Sequence, residues 1–96
     1  MRESEFQAKL IRKIRDLFPD CIVLKNDPNY IQGMPDLTIL FRNGWAVLEC
    51  KNSAKAHAQP NQVYYIQKLN RMGFASFVYP ENELEILDAL QQSFES

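Results

Sequence analysis

Residues 36–51 read Asp36-Leu37-Thr38-Ile39-Leu40-Phe41-Arg42-Asn43-Gly44-Trp45-Ala46-Val47-Leu48-Glu49-Cys50-Lys51. Two runs rich in apolar and β-branched residues flank an Asn-Gly dipeptide, the strongest short-range hairpin signal a sequence offers. The stretch therefore predicts a strand from Asp36 to Phe41, a tight turn, and a second strand from Trp45 to Lys51. With Asn43-Gly44 as a two-residue type I′ turn, Arg42 faces Trp45, Thr38 faces Glu49 and Asp36 faces Lys51. Side chains alternate across a strand, so Asp36, Thr38, Glu49 and Lys51 project from one face. Glu49 becomes the diagonal neighbour of Asp36, at roughly 7–8 Å between backbones. A slip of one residue would put Asp36 and Glu49 on opposite faces.

Two acids and a lysine on a strand pair otherwise built of Val, Leu and Ile need a physical reason. Buried charge is costly unless it is paired or bound to metal. Two close carboxylates repel, and one keeps its proton unless a cation neutralises both. Mg²⁺ does this through one or two carboxylates while keeping several waters. On spacing alone, Asp36 opposite Lys51 is equally an ordinary cross-strand salt bridge.

The elements outside the hairpin are short and closely spaced. Before it, Ser4 and Gln7 form a Ser-x-x-Gln capping box. Phe6, Leu10, Ile14, Leu17 and Phe18 then recur at helical spacing until Pro19-Asp20 ends the helix. Cys21 to Lys25 predicts a strand and Asn26 to Met34 a loop. After the hairpin, Asn52 to Ala58 is a polar loop. Pro60 opens a second helix that turns Val63, Ile66 and Leu69 inward, and Gly73 is placed as its C-terminal cap. Gln59, just before it, is a poorer cap than a small residue such as Ser. Phe74 to Tyr79 is a fourth strand. Glu81 to Phe94 is a last helix with Leu84, Leu87, Ala89 and Leu90 apolar. The order is helix, three strands, helix, strand, helix: an α/β fold with helices on a mixed sheet.

Ninety-six residues make one domain, 1–96, whose core is marginal without help; a homodimer is one source of that help. Cys21 and Cys50 match no metal-ligand or redox spacing and read as reduced thiols. With no apolar run of membrane length and no secretory leader pattern, the expectation is no membrane and a cytoplasmic protein. The net charge of -1 argues against a broad basic nucleic-acid surface. It is unevenly placed, however. Residues 1–71 carry all 11 Lys and Arg with seven acids, a net of +4, and residues 72–96 carry five acids and no base, a net of -5. The acidic last helix is either turned away from a phosphate ligand or, equally, a solvated acidic face with no further meaning.

Gly33-Met34-Pro35-Asp36-Leu37, a hairpin, then Leu48-Glu49-Cys50-Lys51 resembles the PD-(D/E)XK nuclease signature, and most closely the stand-alone virus-type replication-repair nuclease (VRR-NUC) domains. The resemblance spans roughly residues 3–79 and includes an early glutamate on the first helix, Glu5, with Gln62 and Gly73 after the hairpin. It implies a restriction-endonuclease-like α-β-β-β-α-β core. It implies Asp36 and Glu49 as metal ligands, joined by the backbone carbonyl of Cys50 and, directly or through water, by Glu5. Lys51 would be the catalytic lysine, and Gln62 would hydrogen-bond near the site or to the substrate phosphate. The implied activity is Mg²⁺- or Mn²⁺-dependent hydrolysis of DNA phosphodiester bonds by a homodimer, often at branched structures such as Holliday junctions. Such domains are common in phages and mobile elements, which implies a host-cell cytoplasm. The alternative function is a nucleic-acid-binding subunit on the same scaffold that does not cut, or cuts only with a partner chain.

Other residues carry weaker expectations. Lys25 and Lys55 are candidate phosphate contacts. His57, the sole histidine, reads as a solvated loop residue, and Arg12, Lys13 and Arg15 as a solubilising basic edge. Tyr30 is placed to stack on a base at an opened junction. Tyr64 and Tyr65 read as core and dimer contacts, and Trp45 as packing.

Overall fold

The computed structural model describes residues 1–95. Its elements are α1 (Glu3–Leu17), β1 (Ile22–Lys25), β2 (Leu37–Phe41), β3 (Gly44–Cys50), α2 (Pro60–Met72), β4 (Phe74–Val78) and α3 (Glu83–Glu95). They form the expected α/β arrangement, a four-stranded mixed sheet in the order β1-β2-β3-β4 with helices on both faces. β1–β2 and β2–β3 pair antiparallel, while β4 lies parallel to β3 after the α2 crossover. No helix among the described residues is long and apolar enough to cross a membrane.

The alternation of the strands sorts the core into two layers. Leu37, Ile39, Ala46, Leu48, Cys50 and Val78 pack under α1 and α3, against Phe6, Leu10, Ile14, Phe18, Leu87 and Leu90. Val47, Ala75 and Ile66 make a smaller cluster beneath α2, with Trp45, Leu69 and Phe77 at its edge. Within the larger layer Phe18, Phe41 and Phe94 form a tilted aromatic trio with ring centroids 5.2–5.5 Å apart.

Several sequence expectations shift. The hairpin pairs Leu40 with Trp45 and Phe41 with Gly44, so Arg42-Asn43 is the turn and the register lies two residues from the expected one. Of the turn's central pair only Arg42 has positive φ, at 55°, the pattern of a type II′ rather than a type I′ turn. Gly44 opens β3 opposite Phe41, where a Cβ would lie 3.1 Å from the Phe94 ring. Helix α1 starts at Glu3, with Arg2 as an N-cap that makes no side-chain bond, so the Ser4–Gln7 box does not form. Glu3 and Glu5 offer negative charge to the helix start instead. Ile11 takes the buried place expected of Leu17, which is exposed, as is Leu84 on α3. Tyr64 also lies exposed, edge-on to Tyr65 at 5.1 Å. Gly73 does cap α2, but with an extended φ of -170°. The position requires glycine because a Cβ would lie 2.6 Å from the Trp45 indole.

Candidate active site

Because the register differs by an even number of residues, the face on which each side chain projects is unchanged. Continued one step past Leu37–Leu48, the register sets Asp36 level with Glu49, closer than the diagonal expected. Both acids and Lys51 lie on the α2 side of the sheet, where the first turn of α2 delivers Gln62.

Each of these side chains is held. Asp36 Oδ2 accepts the backbone N–H of Cys50 at 2.8 Å. The turn carrying Asp36 is pinned by Asn26: its backbone N–H donates to Asp36 O at 2.8 Å, and its side-chain amide donates to Pro35 O at 2.8 Å and to Thr38 Oγ1 at 2.9 Å. Asn26 was not picked out from the sequence, and nothing there distinguishes it from any other loop asparagine. Gln62 sits at the third position of α2, and its Oε1 accepts the backbone N–H of Gln59 at 3.0 Å, half of a capping box. The same Oε1 accepts from Lys51 Nζ at 2.9 Å, and Gln62 Nε2 donates to Glu49 Oε2 at 3.0 Å. Lys51 Nζ also lies 3.7 Å from Glu49 Oε2. The cap that starts α2 thus orients the amide linking lysine to glutamate.

Glu49 is the one charged side chain buried among the described residues, 3% exposed. Its Oε1 is buried and finds no hydrogen-bond partner. Burial first, and the Asp36 charge second, push its carboxyl up to about 7 against the opposing Lys51. Burial also raises Asp36, opposed by the Cys50 N–H and by Lys51. The Cys50 thiol, on the other face of the sheet, is pushed up to about 12 mainly by burial and stays protonated. Its contribution to the site is its backbone: the N–H already points at Asp36, and the carbonyl of a strand residue points to the same side as its N–H.

The first-helix glutamate that approaches this group is Glu3. Burial and then the Asp36 charge raise its carboxyl, and Lys51 lowers it. Glu5 is exposed, faces Arg2 at 3.9 Å and is not brought to the cluster. The signal for Glu3 was present in the helix period. Positions 3, 7, 10 and 14 share one stripe, so Glu3 lies on the side of Leu10 and Ile14 that meets the sheet.

The residues fit a divalent cation. A buried carboxylate with an unpartnered oxygen, its pKa pushed up to about 7 and facing a second carboxylate, is the donor set that a hard cation completes. The side-chain donors are two: no group of three or more His, Cys, Asp or Glu side chains suited to a metal occurs among the described residues. The cation would take its remaining ligands from the Cys50 carbonyl and from water. Asp36, Glu49 and Gln62 open into a polar cleft of about 290 Å³, walled by Gln32, Gly33 and Met34 and by the start of α2. Gly33 (φ +94°) fits there because a Cβ would lie 2.9 Å from Asn61. His57, Lys25 and Lys55 are exposed and stand outside the cluster. Comparison with models of known protein families finds no match, and no curated protein matches the chain.

Proposed function

We propose that this chain is a metal-dependent nuclease of the PD-(D/E)XK type, similar to the VRR-NUC domains, hydrolysing phosphodiester bonds in DNA. The observation that carries the reading is the buried, unpartnered Oε1 of Glu49 beside Asp36, on a strand that presents Lys51 two residues later. Asp36, Glu49 and the Cys50 carbonyl would hold Mg²⁺ or Mn²⁺. When bound, the ion supplies positive charge at the phosphate and lowers the pKa of a water. Lys51 keeps its ammonium at the carboxylate edge through Gln62, where it orients the attacking water and offsets charge that builds on the phosphate. Gln62, freed from either neighbour, has both a donor and an acceptor for the phosphate or that water. Glu3, whose charge acts on Asp36 and Glu49, would reach the ion through water.

The finer reading is cutting of branched DNA, such as a Holliday junction, by a homodimer whose two sites match a two-fold substrate. The test is cleavage of labelled four-way junction, flap, single-stranded and linear duplex DNA with Mg²⁺, Mn²⁺ or EDTA. Lys51→Ala and Asp36→Ala should each lose at least about 10²-fold in rate while still binding DNA. Light scattering should give the mass of a dimer. Binding without cutting on every substrate would instead identify a DNA-binding subunit that does not cut, or cuts only with a partner.

A further inference from the structure

Between β1 and β2 the chain makes a loop whose two sides do different things. Gln32, Gly33 and Met34 wall the carboxylate cleft. Asn26, Asp27, Tyr30, Ile31 and Met34 line a second, more apolar hollow of about 380 Å³. Met34 is the wall common to both. The tip is built rather than loose: Asn29 N–H donates to Asp27 Oδ1 at 2.9 Å, Tyr30 N–H to Asp27 O at 3.2 Å and Met34 N–H to Ile31 O at 3.3 Å. On this fixed tip Tyr30 is 84% exposed and Ile31 is exposed beside it. Nothing in the core explains a tyrosine and an isoleucine held out of the fold at the edge of a polar cleft.

We propose that the hollow of Tyr30, Ile31 and Met34 receives an unpaired nucleobase adjacent to the phosphate held in the carboxylate cleft. This rests on the proposed nuclease reading and deepens it, since it names the substrate as DNA with a base free to leave the stack. A phosphate at Asp36 and Glu49 has its neighbouring nucleoside one side chain away, across Met34. The Tyr30 ring gives that base a face to stack on, Ile31 and Met34 give it an apolar edge, and the Asp27 carboxylate is an acceptor for a base amino group. A base in continuous duplex cannot enter without unstacking, so gapped, branched or single-stranded DNA is preferred over linear duplex.

The experiment is an abasic scan. Wild type, Tyr30→Ala and Tyr30→Phe bind a fluorescein-labelled duplex with a short single-stranded gap, with Ca²⁺ in place of Mg²⁺ to neutralise the carboxylates, read by anisotropy. Each gap nucleotide is replaced in turn by an abasic site. Wild type should lose about 5- to 150-fold in affinity at one position. Tyr30→Ala should be comparably weak on the intact gap and insensitive to that abasic site, and Tyr30→Phe should follow wild type. Equal sensitivity of wild type and Tyr30→Ala at every position overturns the proposal. So does failure of wild type to bind the gapped duplex, or a smaller solution mass for Tyr30→Ala, which would make the tip a contact between copies of the chain. The same DNAs with Mg²⁺ read the nuclease separately. Coupling without cutting keeps the base pocket and removes the hydrolase, whereas cutting without coupling does the reverse.

Discussion

Glu49 is more deeply buried than Asp36 or Lys51. Its pKa of about 7 in the fold exceeds its ordinary 4.5, so the folded state holds its proton more tightly than the unfolded chain does. That contribution to stability is fully present below about 4.5 and is lost as pH rises through about 7. The metal-free protein should therefore melt at progressively lower temperature between those values, and Glu49→Gln should flatten the decline. A divalent cation must displace the same proton, so the sign reverses on loading: Mn²⁺ should raise the melting temperature more at pH 8 than at pH 5.5. Melts followed by circular dichroism, with EDTA and with Mn²⁺, check both. An Mn²⁺ effect that is the same at the two pH values would mean that the ion does not bind at Glu49.

The strands and helices explain which parts of this site could be read beforehand. Alternation along β2 and β3 fixed the shared face of Asp36, Glu49 and Lys51, and an even error in register leaves a face intact. The turn residues were misread because Asn43-Gly44 is a local signal, and Gly44 answers to a distant contact with Phe94. Gly73 is a similar case, since its glycine requirement comes from Trp45 and not from helix-ending geometry. Gly73→Ala should cost about 1–3 kcal/mol by overpacking, seen in denaturant melts, and the loss should shrink in a Trp45→Phe background. Asn26 was invisible because its partners, Pro35 and Thr38, lie across a loop whose path no periodicity specifies. Asn26→Ala should cost about 1–3 kcal/mol through unsatisfied partly buried groups. It should also weaken Mn²⁺ binding, because the turn that carries Asp36 loses its anchors at Pro35 O and Thr38 Oγ1. Unchanged metal affinity by titration calorimetry would show that the backbone bonds from residue 26 and from Cys50 hold Asp36 without the Asn26 side chain.

Taken as a whole, the chain is nearly neutral yet divided, and the fold turns that division into two sides. Asp36, Glu49, Lys51 and Gln62 share the α2 side of the sheet, while α3 with its acids Glu83, Glu85, Asp88 and Glu95 packs on the other. Glu83 is further occupied by Lys13 at 2.7 Å. A phosphate backbone crossing the cleft would meet Lys51 and the exposed Lys55, in the loop before α2, rather than the acidic helix; Lys25, level with Leu37, projects from the α1 and α3 side. With so few cations on that side, DNA affinity should depend on salt with a shallow slope, set by a handful of phosphate contacts. Lys55→Ala should weaken binding uniformly across sequences and reduce the slope of log affinity against log salt by about one, and Lys25→Ala should leave the slope unchanged. Glu85→Gln with Asp88→Asn should change affinity by less than about threefold, because charges on the far side of a sheet are largely screened beyond about 10 Å. Anisotropy titrations over a range of NaCl concentrations measure all of these. A large gain from neutralising Glu85 and Asp88, with no change from losing Lys55, would place the nucleic acid on the α3 side and away from Asp36 and Glu49.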